Sequence, residues 1–314
     1  IDNSVGAFFE YTYDNGDDFS VILGGRIDNH NRLGTFVTPR LHMRYNPWDK
    51  GVLRFSAGRG KRSANIFAEN QPLFASSRTF EILNSNGKIY GLNPEIAWNY
   101  GLSFSQKFSL LGKSADVGFD LYRTDFQNQA IVDVMQSPQE VLFYNLDGKS
   151  YANSLQVEFN YEILNHLNLR SAYKFYDIQT DYLSGRYQKA LQAKHRFFGN
   201  IEYETPVGEK GQQWKFDYTL NWIGQQQLPT TASNPEQDRL PEFSKSYSLM
   251  NAQITKIFSP TFEVYVGGEN IGNYTQEKAI LGSENPFGPN FDASIVYAPV
   301  FGQMYYAGLR FKIK

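Results

Sequence analysis

The sequence predicts an all-β fold: a transmembrane, antiparallel, up-and-down β-barrel, of which this chain is the C-terminal portion of about 13 strands. Three observations point there. Apolar residues recur with a period of two. The connectors between the alternating segments take turns being short and long. Aromatic residues make up 16% of the chain, with 21 Tyr, 25 Phe and 4 Trp, as an outer face with two aromatic girdles requires.

The low mean hydropathy of -0.47 does not oppose this, since a barrel strand turns only alternate residues to lipid. No apolar run approaches the ~18 residues a membrane helix needs, and the nearest, 293–301, holds Ser294 and Pro299. A net charge of -2 over 314 residues argues against a nucleic-acid partner. The absence of Cys removes disulfides, thiolate metal sites and cysteine nucleophiles.

Strands are expected at 3–13, 19–28, 35–45, 51–59, 97–105, 115–134, 151–161, 167–178, 195–204, 214–222, 247–258, 261–270 and 300–313, with no helix. In 97–105, Trp98, Tyr100, Leu102 and Phe104 point one way, and Asn99, Gly101, Ser103 and Ser105 the other. In 214–222, Trp214, Phe216, Tyr218, Leu220 and Trp222 oppose Lys215, Asp217, Thr219 and Asn221. Such alternation marks strands with one apolar face. The polar rows include Arg40, His42, Arg44, Asp116, Asp120, Gln156 and Glu158. Charges at this density are costly in a dry core, so they are expected to line a wide, water-containing lumen.

Short connectors are expected at 14–18, 46–50, 109–114, 164–167, 205–213 and 259–260, and long ones at 28–34, 60–93, 127–149, 179–194, 224–246 and 271–299. Strict alternation of this kind suits a barrel with periplasmic turns and extracellular loops, placing the chain in a cell outer membrane with lipid and lipopolysaccharide around it. The chain opens on Ile1-Asp2-Asn3-Ser4, with no initiator Met and no signal peptide. Single-chain bacterial barrels have even strand counts, so an odd count also leads to the expectation that further strands precede it.

Several motifs, in order, carry a family resemblance. They are Thr38-Pro39-Arg40 running to Tyr45-Asn46-Pro47, then Gly58-Arg59-Gly60-Lys61-Arg62, and Leu92-Asn93-Pro94-Glu95 running to Asn99-Tyr100-Gly101-Leu102. Gly267-Gly268-Glu269-Asn270-Ile271 and Tyr305-Tyr306-Ala307-Gly308-Leu309-Arg310-Phe311 follow. Together they resemble the barrel of TonB-dependent receptors. The stretch 63–70 is similar to members from Bacteroidetes. Two departures stand out: Gly101 occupies a position where many members have Glu, and the chain ends on Lys314 rather than an aromatic residue.

The resemblance implies a barrel of about 22 strands around an N-terminal plug, with residues 1–314 supplying only its C-terminal part. It implies active uptake of a scarce, large nutrient such as a ferric siderophore, haem, cobalamin or an oligosaccharide. It implies coupling to TonB through a segment upstream of this chain, and a surface lipoprotein as a further partner. In the family, ligand sits between the plug and the extracellular loops. The loop residues expected to contact it are Phe74, Arg78, Phe80, Tyr144, Tyr182, Arg186, Tyr187, Gln225, Gln226, Phe287 and Phe291. Of these, Arg78 and Arg186 suit an anionic ligand.

No catalytic residue, cofactor or metal is expected. The four histidines, His30, His42, His166 and His195, have no metal-ligand spacing, and no Gly-x-Ser-x-Gly elbow is present. The Asp14-Asn15-Gly16-Asp17-Asp18 cluster lacks the Glu and helices of a calcium loop and reads as a solvated turn. Two other functions fit the same chain: a passive diffusion channel of 14 strands, and an outer-membrane barrel enzyme.

Overall fold

A computed structural model describes residues 2–83 and 86–313; Ile1 and Lys314 lie outside the described residues. In chain order the strands are β1 (Ser4–Asp14), β2 (Phe19–His30), β3 (Gly34–Tyr45), β4 (Gly51–Arg62), β5 (Thr79–Ile82), β6 (Glu95–Leu110), β7 (Lys113–Asn128), β8 (Ala130–Asp133) and β9 (Glu140–Asn145). They continue as β10 (Ser150–Leu164), β11 (Leu167–Tyr182), β12 (Gly185–Gln188), β13 (His195–Glu204), β14 (Gln213–Ile223), β15 (Tyr247–Ser259), β16 (Phe262–Glu269) and β17 (Met304–Phe311).

All but β5, β8, β9 and β12 form one continuous antiparallel wall, each strand beside its chain neighbour, with β1 and β17 at the edges. Directly opposed residues share a face, so the registers trace two continuous rows. One is apolar: Leu41 and Met43 on β3 pass to Ala57 and Phe55 on β4, then to Tyr100 and Leu102 on β6, then to Leu121 on β7. It continues through Leu155, Phe175 and Tyr173 to Phe197, Trp222, Leu220 and Met250. None of these side chains is buried, and several stand in the open, Leu121 at 47% and Leu102 at 46% exposure. A belt this continuous needs an apolar solvent.

The other face is polar and internally bonded. Glu10 pairs with Arg40, Ser103 donates to Asp120 at 2.5 Å, and Asn160 donates to Asp116 at 2.8 Å. Further along, Asn200 donates to Asp217 at 2.8 Å, and Arg310 pairs with Glu263. Arg40, His42, Arg44, Asp116, Asp120, Gln156 and Glu158 all lie on this face.

The apolar face has a sharp upper boundary. Leu102, Leu121, Leu155 and Phe175 form one rung; the next rung toward the long connectors is Tyr100, Arg123, Asn153 and Asp177. There Arg123 bonds Asp125 at 2.6 Å and Asn153 at 3.0 Å. Strands of sixteen residues, such as β6 and β7, exceed the ~9–11 a tilted membrane strand needs. The surplus carries polar residues on both faces.

Several expected boundaries move: the strand expected at 97–105 runs from 95 to 110, and the connector expected at 179–194 begins after Tyr182 and holds β12. The connector expected at 28–34 is a tight hairpin of residues 31–33, because Asp28, Asn29 and His30 stay in register with Gly6, Val5 and Ser4. Asp28, which reads as a loop residue, is held there by Arg26 at 2.7 Å. The strand expected at 115–134 breaks after Asn128, and β8 leaves the wall to pair with β9. The last strand begins at Met304 rather than at 300.

Gly101 also finds its reason. A Cβ there would sit 2.4 Å from Cε1 of Tyr122 and 2.5 Å from Oγ of Ser56. The Tyr122 ring lies across the glycine, covering backbone that a side chain would otherwise cover. Gly101→Ala is therefore expected to cost about 1–3 kcal/mol through forced displacement of the ring. Urea unfolding of the full-length protein in lipid vesicles reads this, and an unchanged midpoint would show the ring to be free.

The buried core is not in the wall. Residues 63–83, 86–94, 129–149, 183–194, 224–246 and 270–303 fold together at one end, with Ile66, Val141 and Phe143 in one buried cluster and Leu228, Leu281 and Ile295 in another. β5, β9 and β8 form a small sheet inside this roof, β5 and β9 parallel. No helix among the described residues is long and apolar enough to cross a membrane.

Candidate functional site

The roof is tied across the wall by contacts between its first and last loops. Ser77 N–H donates to the Phe291 carbonyl at 2.9 Å, and Ala293 N–H to the Ala75 carbonyl at 2.8 Å. Beside them Arg78 Nε bonds Asp292 at 2.9 Å, with the two side chains 1% and 5% exposed. Asp292 also accepts from the backbone and hydroxyl of Ser294, at 2.8 and 2.6 Å. Arg78 Nη1 donates to the Ser137 carbonyl at 3.1 Å, bringing in a third loop. Gln139 joins that loop to Asn234 at 2.8 Å and to Asn290 at 3.2 Å.

Beneath the roof, on the polar side of the wall, lies a cavity of about 390 Å3. The wall contributes Arg62, Glu95, Ile178, Thr180 and Tyr182, and the roof contributes Arg78, Val132, Lys189 and Pro229 among others. Arg62 is committed to Glu95 at 2.6 Å and to Glu69 at 3.0 Å. Lys189 is an exposed cation at the rim. The lining thus mixes apolar surface with a few fixed charges, as small-molecule sites do. No cluster of metal-ligating side chains occurs among the described residues.

The loop residues singled out from sequence are dispersed. Arg78 and Tyr182 line this cavity; the Arg78 guanidinium is paired with Asp292 through Nε, while its Nη2 has no partner. Arg186 is likewise paired with Asp181, at 2.6 Å. Phe74 and Phe80 stack on each other at 4.9 Å, and Phe80 stacks on the buried Phe143 at 6.1 Å, so they pack loop against loop. Tyr187 packs on the same cluster.

Tyr144 is buried, donates to Asp133 at 2.7 Å and accepts from the Leu183 amide at 3.1 Å. Burial and the Asp133 bond push its hydroxyl far above the usual phenol range, so it stays neutral. Gln226 is buried and bonded to the Tyr297 carbonyl at 2.9 Å. Gln225, its neighbour, lines a pocket with Trp222 and His195 on the apolar side of the wall, away from the cavity. Phe287 stands 99% exposed at a loop tip, and Phe291 is half-buried with its carbonyl in the tie to Ser77. Sequence reasoning passed over Asp292, Glu95, Phe143 and Lys189. Glu95 alone had a local signal, its place in the Leu92-to-Leu102 motif.

The TonB-dependent receptor-like β-barrel family matches residues 2–271. Among solved structures, the siderophore receptor PirA from Acinetobacter baumannii is similar at 14% identity and a TM-score of 0.68, over 99% of this chain and 46% of that one. The ferric enterobactin receptor PfeA of Pseudomonas aeruginosa gives 14% and 0.69, over 99% and 45%. The copper transporter OprC gives 13% and 0.70, over 99% and 48%. At these identities the likeness concerns the fold, and this chain spans less than half the length of each structure. No curated protein sequence matches significantly. With its wall, its roof and a family match over most of its length, the chain belongs to the TonB-dependent receptors, β-barrel proteins of the outer membrane.

Proposed function

We propose that the chain is the C-terminal part of an active importer that takes up a scarce, large nutrient through TonB: a ferric siderophore, haem, cobalamin or an oligosaccharide. One observation carries this over a passive channel. Five loops close over the polar side of the wall on their own hydrophobic clusters and a buried ion pair, whereas a diffusion channel needs an open mouth. In this reading the polar face lines the lumen, and the apolar belt spans the outer membrane. The cavity under the roof contributes part of the ligand site, the plug supplies the rest, and TonB engages a segment upstream of residue 1.

Growth of an expressing strain on each of the four nutrient classes, with TonB intact and deleted, tests it. Growth on one class that disappears without TonB is the expected result; growth that persists without TonB identifies a passive channel.

A further inference from the structure

A pocket of about 580 Å3 lies on the apolar side of the wall, at its roofed end. Its wall residues sit in the outward rows: Trp222 opposes Phe197, His195 opposes Phe175, and Gln179 is one rung beyond Asp177. The roof adds Gln188, Gln225 and Phe243, and Lys194 completes the lining. The wall therefore separates this pocket from the cavity on the polar face.

From this position and lining we infer a binding site for the sugar headgroup of an outer-leaflet phosphorylated glycolipid. The pocket begins where the outward face changes from apolar to polar, the depth at which a lipid headgroup meets water. Its volume falls in the range of small-molecule sites. Trp222 and Phe243 offer ring faces for a sugar's C–H face, with apolar bodies that tolerate the lipid boundary. Gln188 and Gln225 make no side-chain hydrogen bond to other described residues, so each has both amide donors and a carbonyl for sugar hydroxyls. Lys194 lies 3.7 Å from Asp177, a pairing loose enough to leave donors for a phosphate. The inference rests on the apolar belt facing lipid and is independent of what is transported.

The test uses the full-length receptor in mild detergent, with purified lipopolysaccharide as the probe and native mass spectrometry as the readout. Gln225→Leu removes an exposed amide without touching the fold, and Trp222→Ala removes the aromatic floor. Each is expected to weaken lipopolysaccharide retention on the order of tenfold, the equivalent of about 1.4 kcal/mol, with uptake by Trp222→Ala unchanged. Retention by Gln225→Leu equal to that of the unmodified receptor overturns the site. Full competition by the lipid-free core oligosaccharide overturns the lipid assignment, since the pocket would then take soluble sugar. The difference in brominated-lipid quenching between the unmodified receptor and Trp222→Ala isolates Trp222 among the four Trp of the chain, and the absence of any difference overturns the lipid-facing premise itself.

Discussion

Asp292→Ala is expected to loosen the roof by about 3–5 kcal/mol, because it leaves the Arg78 guanidinium charged and buried without a counter-ion. Arg78 is 1% exposed, and its other hydrogen bonds go to the Ser137 and Glu140 carbonyls, which carry no counter-charge. The ion pair also flanks the backbone ties from Ser77 to Phe291 and from Ala293 to Ala75. Amide exchange in the full-length protein should accelerate at Ser77 and Ala293 and stay slow in β6 and β7. Pairing Arg78→Met with Asp292→Leu should restore most of the protection, since apolar groups of similar volume remove the unpaired charge. Unchanged exchange in the single variant would show that the two clusters hold the roof without the pair.

The second large effect separates the two faces of the wall. Val117 lies two rungs further into the apolar face than Leu121, opposite Phe159, and Gln156 sits on the polar face opposite Asp120. Val117→Arg is expected to destabilise the protein by about 2–4 kcal/mol, as a cation at mid-membrane depth does in barrels. Gln156→Arg meets the Asp120 carboxylate instead and should shift stability by no more than about 0.5 kcal/mol. Urea midpoints for both variants in lipid vesicles give the comparison, and equal shifts would mean that the belt does not face lipid.

The contrast between wall and roof explains what the sequence shows and what it hides. A strand writes its two faces into adjacent positions, so Trp98, Tyr100 and Leu102 announce their side against Asn99, Gly101 and Ser103. Thirteen wall strands follow from that local rule. The roof obeys no local period. Arg78 finds Asp292 across 214 positions, and nothing beside either residue signals the other. Loop aromatics such as Phe80 read as ligand contacts or as packing, and only the three-dimensional structure shows Phe80 stacked on Phe143. Gln225 and Gln226 are chain neighbours with opposite fates, one lining the outer pocket and one bonded inside the roof. The Asp28 hairpin and the Gly101–Tyr122 contact are similar cases, in which a cross-strand partner overrides the local pattern.

The tie between Arg78 and Asp292 also orders events in time. Its two ends enclose eight of the thirteen wall strands: one follows β4, the other precedes β17. Closing so long a loop is entropically unfavourable until the intervening strands hold the ends close, and contacts between distant positions form late for the same reason. The small sheet of β5, β9 and β8 can assemble earlier, but its fastening to the last loop must wait for the strands from β6 to β16. Its closure therefore reports that the wall through β16 has been built.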